Sequence, residues 1–173
     1  MSDFYISVEK EIHDIGRLCG VIEQDGWVDR DTVIVVCSPE YSSIICQLMC
    51  HNLSHVRDHV PLDLDFLEMP YPGQQGLTNQ AYEQLIRNFA QKYRNVIRKL
   101  LFVDSGVLRG QNFTTLKQIM KEQVASHLTK YACLYRQDDS IFEPDYCVEQ
   151  FNFDRDGGLT FWWEHPDNPY WDW

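Results

Sequence analysis

The chain has 173 residues, which suits one domain with a sizeable core. With 44% hydrophobic and 13% aromatic residues it is not a disordered chain, and no apolar run reaches the ~20 residues needed to span a bilayer. The formal net charge of −11, with no Lys/Arg cluster, argues against a nucleic-acid partner, whose phosphates call for basic patches.

Residues 1–5 lack the basic start and apolar core of a signal peptide, so a cytoplasmic protein is expected. From residue 4 to 24, Ile6, Val8, Ile12, Ile15, Leu18 and Val21 recur among charged residues, as in an amphipathic helix broken near Gly16 or Gly20. Asp25 and Gly26 make a turn. Residues 31–37 form an apolar strand running into Ser38, Pro39, Glu40 and Tyr41, and a helix from about Ser42 to Arg57 follows. Leu62 to Met69 alternates apolar and acidic residues, the pattern of a strand nearer the sheet edge. After the breaker-rich residues 70–76, Thr78 is the expected cap of a helix through Tyr82, Leu85, Ile86, Phe89 and Tyr93.

Residues 100–103 are the second apolar strand, with Asp104 expected at its end. A loop carrying Gly106 and Gly110 follows, then a helix capped by Asn112 or Thr114 and running through Leu116, Ile119 and Met120. Strand, glycine loop and helix start form an anion site, because backbone N–H groups and the positive helix end converge there; a tight capped turn without a ligand is the plainer alternative. Residues 130–136 are a further strand, Asp138 to Ser140 a turn, and short strands and turns run from Pro144 onward around residues 154–158. The repeated strand–turn–helix order predicts an α/β fold. It has a mainly parallel central sheet, helices on both faces and a small C-terminal hood. The whole, 1–173, is one domain, with 1–26 an N-terminal helical segment and 144–173 the hood and aromatic tail.

Apolar run, Asp104, short loop, Gly110 and the small polar Asn112 before a helix resemble the ribose-phosphate motif of type I phosphoribosyltransferases. Pro144-Asp145-Tyr146 and Phe161-Trp162-Trp163-Glu164 are similar to the "PDY … FPWE" ending of the purine members. The resemblance spans roughly residues 30–165. It implies transfer of a 5-phosphoribosyl group between phosphoribosyl diphosphate, with Mg2+, and a nitrogenous, purine-like base. Asp104 and Ser105 occupy the catalytic positions, Asp104 holding the ribose and meeting Mg2+ only through the substrate. Arg109, Gly110, Gln111 and Asn112 surround the phosphate. Ser38, Glu40 and Tyr41 stand in the pyrophosphate loop, residues 69–76 in the loop that closes over substrate, and Trp162, Trp163 and Glu164 on the base side.

Several positions depart from that pattern. The second acidic residue is Ser105, and Leu108 stands where 6-oxopurine enzymes carry an aspartate. Pro39 removes a backbone donor and Glu40 brings negative charge into the pyrophosphate loop, so Ser38 serves either as a helix cap or as a ligand contact. Gly158 replaces the stacking aromatic, leaving Trp162, Tyr170 or Trp171 for that task. The rival expectation is therefore a non-catalytic binding or assembly protein that keeps the fold; a third is an acidic protein docking a partner through Trp171 and Trp173. The expected partners are a small-molecule phosphoribosyl donor and a base, with no nucleic acid or membrane, and a homodimer is allowed.

The six cysteines (Cys19, Cys37, Cys46, Cys50, Cys133, Cys147) form no Cys-x-x-Cys pair and read as buried reduced thiols. Cys46, Cys50, His51 and His55 share helical spacing, but structural zinc takes ligands from two separated elements, so no zinc is expected.

Overall fold

The computed structural model describes residues 4–37, 39–54, 62–68, 79–152 and 159–161. Elements follow in the order β1 (Phe4–Ile6), α1 (Val8–Asp25), β2 (Thr32–Cys37), α2 (Pro39–Ser54), β3 (Asp63–Leu67), α3 (Asn79–Tyr93), β4 (Lys99–Val107), α4 (Gln111–Gln123), β5 (Thr129–Gln137), β6 (Tyr146–Phe151) and β7 (Leu159–Phe161). Five parallel strands form the central sheet in the order β3-β2-β4-β5-β6, and β1 pairs parallel with β7 in a small second sheet. The α/β fold expected from the alternation of strands and helices is present, and β3 lies at the edge, as its half-polar pattern suggests.

Parallel strands buried on both faces need continuous apolar runs, and β2 has one: every residue of Thr32–Cys37 is buried. One face packs Ile34, Val36, Leu101 and Val103 against Ile15, Leu18 and Ile22 of α1 and Ile45, Cys46 and Met49 of α2. The other packs Val33, Val35, Leu100 and Phe102 against Ile86 and Ala90 of α3 and Phe113, Leu116 and Met120 of α4. Helix α1 is unbroken. Gly16 and Gly20 do not interrupt it, because the apolar stripe that contacts the sheet outweighs the ~1 kcal/mol each glycine costs. Ser7 caps its start by accepting from the Lys10 amide at 3.2 Å, and Gly26 closes its end at φ 67°. Residues 146–151, read from sequence among the short C-terminal strands, pair parallel with β5 as the fifth strand of the main sheet.

The ladders carry an irregularity at one level. Ser105 is unpaired with Leu134, and Leu134 with Val148, although pairing resumes on either side. Beyond that level the alternation of faces shifts by one residue. Val107 turns to the α3/α4 side, and Tyr135 and Phe151 turn to the α1/α2 side. A ladder defect of this kind bends strands and re-aims side chains.

The shift aims Tyr135 at α1, where its hydroxyl donates to Asp14 Oδ2 at 2.8 Å. Asp14, 1% exposed, also receives Lys10 at 2.8 Å and Arg17 at 3.1 Å, and Lys10 reaches Glu149 of β6 at 2.8 Å. Burial pushes the Asp14 carboxyl up, but the hydrogen bonds of Lys10, Tyr135 and Arg17 and the Lys10 charge hold it below the ordinary carboxylate value. A group with a lowered folded pKa stabilises fully above its unfolded value of ~3.9 and loses that contribution as the pH falls through the folded value. Asp14→Asn is therefore expected to cost about 1–3 kcal/mol at pH 7, by weakening contacts to a buried hydroxyl. The variant should also lose less melting temperature than the parent between about pH 5 and 3. Equal acid sensitivity in the two proteins counts against this assignment.

Candidate functional site at the carboxyl ends of the parallel strands

The chain runs from β2 outward to β3 on one side, while β4, β5 and β6 extend the sheet on the other. The direction of winding thus reverses between β2 and β4. Open α/β sheets bind ligands at such a switch point, beyond the carboxyl ends of the strands. Here those ends are Cys37 on β2 and the residues following Asp104 on β4.

Asp104 is not at the end of its strand, as the sequence suggested, because β4 continues to Val107. Its pairing with Cys133 holds it inside the ladder, 8% exposed, at the level where the irregularity begins. Ser105, 4% exposed, donates its amide to Asp104 Oδ1 at 2.7 Å, and its hydroxyl lies 3.3 Å from the same oxygen. The negative charge of Asp104 reaches the groups around it. Burial first, and then that charge, push the Cys37 thiol well above its ordinary value; burial also leads for the Cys46 thiol and the Tyr82 hydroxyl, where Asp104 adds a smaller push behind Cys50 and Cys37 respectively.

Arg109 and Gln111 are exposed and Asn112 is half-buried. Neither Asn112 nor Thr114 caps α4, contrary to expectation. Gly110 occupies the cap position at φ 80° with no side-chain cap, Asn112 lies inside the first turn, and Thr114 turns its hydroxyl back to the Gly110 carbonyl at 2.9 Å. The amides of Gln111, Asn112 and Phe113 meet no acceptor among the described residues. A helix start whose N–H groups no side chain claims is suited to an anion.

Two features of this turn have no local signature in the sequence. First, Gly110 is pressed against the β5–β6 connection: a Cβ there would lie 2.6 Å from Phe142 Cβ and Ser140 Oγ and 2.8 Å from the Phe142 amide. The Ile141 amide donates to the Arg109 carbonyl at 3.2 Å, fastening the same contact. Second, Tyr82 of α3 donates its hydroxyl to the Asn112 carbonyl at 3.0 Å and so ties the first turn of α4 to α3. From the sequence Tyr82 is only one more residue of an apolar helical face.

Ser38 lies outside the described residues, as do residues 69–78, His55, residues 154–158 and the segment holding Trp162, Trp163, Glu164, Tyr170, Trp171 and Trp173. Glu40 and Tyr41 fall in the first turns of α2, which begins at Pro39, three residues earlier than expected. An open cavity of about 490 Å³ lies beside α4, between Thr114, Lys117, Lys121, Ile141, Phe142 and Glu143, and does not include Asp104 or residues 109–112. Among the described residues no three His, Cys, Asp or Glu side chains converge on a metal position, and no helix is long and apolar enough to cross a membrane. Cys46 faces the core while His51 is exposed, so these two do not share a face of α2.

No protein-family model matches this chain, and no curated protein matches it in sequence. Solved structures do match its fold. A purine phosphoribosyltransferase from Pyrococcus horikoshii superposes with a TM-score of 0.63 at 17% identity, covering 95% of this chain and 96% of its own. The xanthine-guanine-hypoxanthine phosphoribosyltransferase of Helicobacter pylori gives 0.61 at 14% identity, with 94% and 93% covered. A hypothetical protein from Neisseria gonorrhoeae with bound ppGpp gives 0.64 at 12% identity, with 97% and 93% covered.

Gly110→Ala is expected to destabilise the chain by at least about 2 kcal/mol, since a left-handed backbone and a crowded seat act together. Tyr82→Phe, which removes one hydrogen bond, should cost about 1 kcal/mol. Denaturant unfolding of the two variants checks both. A neutral Gly110→Ala would refute the close approach of the β5–β6 connection.

Proposed function

We propose that this chain, which has the type I phosphoribosyltransferase fold, binds a 5-phosphoribosyl group at the turn between Asp104 and Asn112. The reaction we assign to it is transfer of that group between phosphoribosyl diphosphate and a purine-like base. The observation that carries the reading is the uncapped first turn of α4, placed at the switch point of the sheet one turn beyond a buried carboxylate.

The roles follow from the chemistry of these groups. The 5′-phosphate lies against the amides of Gln111, Asn112 and Phe113, where the helix end contributes about half a positive charge. Arg109, always ionised and exposed beside them, adds a fork of donors. The Asp104 carboxylate accepts from the ribose hydroxyls and so sets the sugar's orientation. Its charge also favours the ribosyl carbon as positive charge grows there and the diphosphate leaves. Magnesium arrives on the diphosphate of the donor, as expected of an ion that keeps substrate phosphates and waters among its ligands. Ser105 adds no second charge, and the side chain of Leu108, 41% exposed, carries no group that can move a proton. The base is therefore held by contacts other than an acid at that position, which points away from an ordinary 6-oxopurine.

Ser105 and Leu108 also favour a second reading, a binding protein that recognises a phosphorylated nucleotide and transfers nothing. The ppGpp held by the Neisseria gonorrhoeae protein supports the idea that this fold can be used in that way.

One experiment separates the two. At a hundredfold excess over the dissociation constant, phosphoribosyl diphosphate with Mg2+ stabilises the chain by about 2.7 kcal/mol, a rise of about 5–10 °C in melting temperature. Asp104→Asn should abolish most of that rise. Pyrophosphate release with a panel of bases then supports transfer; a rise with ppGpp or GMP and no release supports the binding protein. If none of these ligands moves the melting temperature, both readings fall.

A further inference from the structure

Cys133 of β5 and Cys147 of β6 are paired in register, so their side chains project from one face of adjacent parallel strands. Strands in a sheet lie about 4.8 Å apart, within the Cα separations that a disulfide accepts. The two thiols lie close enough for each to act on the charge of the other. They differ in every other respect. Cys133 is wholly buried, and burial raises its thiol well above the ordinary value. Cys147 is half-buried on the edge strand, with its S–H donating to the Glu149 carbonyl at 3.3 Å when neutral. Once ionised, the Cys147 sulfur is stabilised by the neighbouring Cys133 thiol first, then by the Glu149 backbone and the positive charge of Arg136, and these hold it below the ordinary thiol value against the effect of burial. Both thiols are free.

This is the arrangement of an attacking thiol with a resolving thiol behind it. We propose that Cys147 and Cys133 form a dithiol that hydroperoxides oxidise to an intrachain disulfide. The Cys147 sulfur attacks one peroxide oxygen and the O–O bond breaks. Cys147 becomes a sulfenic acid, and the other oxygen leaves as water or alcohol with the thiol proton. The Cys133 sulfur then attacks the Cys147 sulfur, forming the S–S bond and releasing the sulfenic oxygen as water with the Cys133 proton. Two electrons pass from the dithiol to the peroxide, and a thiol reductant reverses the change. The new bond staples the edge strand β6 to β5 at the register level of Asp104, whose partner in the ladder is Cys133.

Cys50 is the built-in control: it too is half-buried, but burial and the charge of Asp63 push its thiol up to about 11. The reduced chain is treated with hydrogen peroxide, quenched with a maleimide, digested without reductant and analysed by mass spectrometry. The expected product has lost two hydrogens and links Cys133 to Cys147, and it forms at least about tenfold faster than any product at Cys50. In Cys133→Ala, dimedone should trap a sulfenic acid at Cys147. Binding of phenylarsine oxide, which needs two neighbouring sulfurs, should fall by one per chain in Cys147→Ser relative to the native chain; this holds even if the Cys133 variant fails to fold. Oxidation first at Cys50, a link between any other pair, or no reaction at a peroxide concentration that oxidises glutathione overturns the proposal.

Discussion

The double-sided pairing of β4, with β2 along one edge and β5 along the other, is the constraint on which the rest of the molecule depends. A parallel strand in that position needs crossovers on both sides; these lay α2 over one face and α3 and α4 over the other, and α1, which leads into β2, packs beside α2. Both faces of β4 are thereby removed from water. In an otherwise apolar strand, Asp104 and Ser105 are then costly choices, because a carboxylate taken out of water loses several kcal/mol of hydration unless it is well partnered. The chain keeps them at the level where the ladders with β5 and β6 are interrupted and where the winding of the sheet reverses.

The turn after β4 is held from two directions. Ser140 and Phe142 press on Gly110 from the β5–β6 connection, and Tyr82 reaches the Asn112 carbonyl from α3. Each contact acts on the backbone and leaves the first amides of α4 without an internal acceptor among the described residues. The phosphate site proposed at this turn would benefit from this, since amides already oriented lose little freedom when an anion arrives. Glycine at 110 is thus required twice, by its positive φ and by the absence of room for a Cβ.

The ionic contacts of α1 have a related geometric cause. Tyr135 reaches Asp14 only because the ladder irregularity turns it to the α1 side, and Lys10 spans the distance to Glu149 on the neighbouring strand. The defect that re-aims residues at the candidate site on one side of the sheet thus also gives α1 its polar anchor on the other.

The apolar runs at 32–37 and 100–103 and the helical spacing of Ile15, Leu18 and Ile22 dictate their elements locally, since a strand buried on both faces and an amphipathic helix each leave an unmistakable pattern in composition. Gly110 before a helix marks the turn for the same reason. The sequence by itself therefore determined the α/β architecture, the order of its elements and the position of a polar turn at the end of a central strand. It could not determine that Asp104 is enclosed in the ladder, that α4 begins uncapped, that Tyr82 and Phe142 hold the turn, that residues 146–151 join the main sheet, or that Cys133 faces Cys147. Those were decided by register and by contacts between residues 13 to 121 positions apart, as between Cys147 and Leu134 or Tyr135 and Asp14. The physical reason is that a residue's own pattern sets which elements it can form, while the partner it meets depends on how the elements pack.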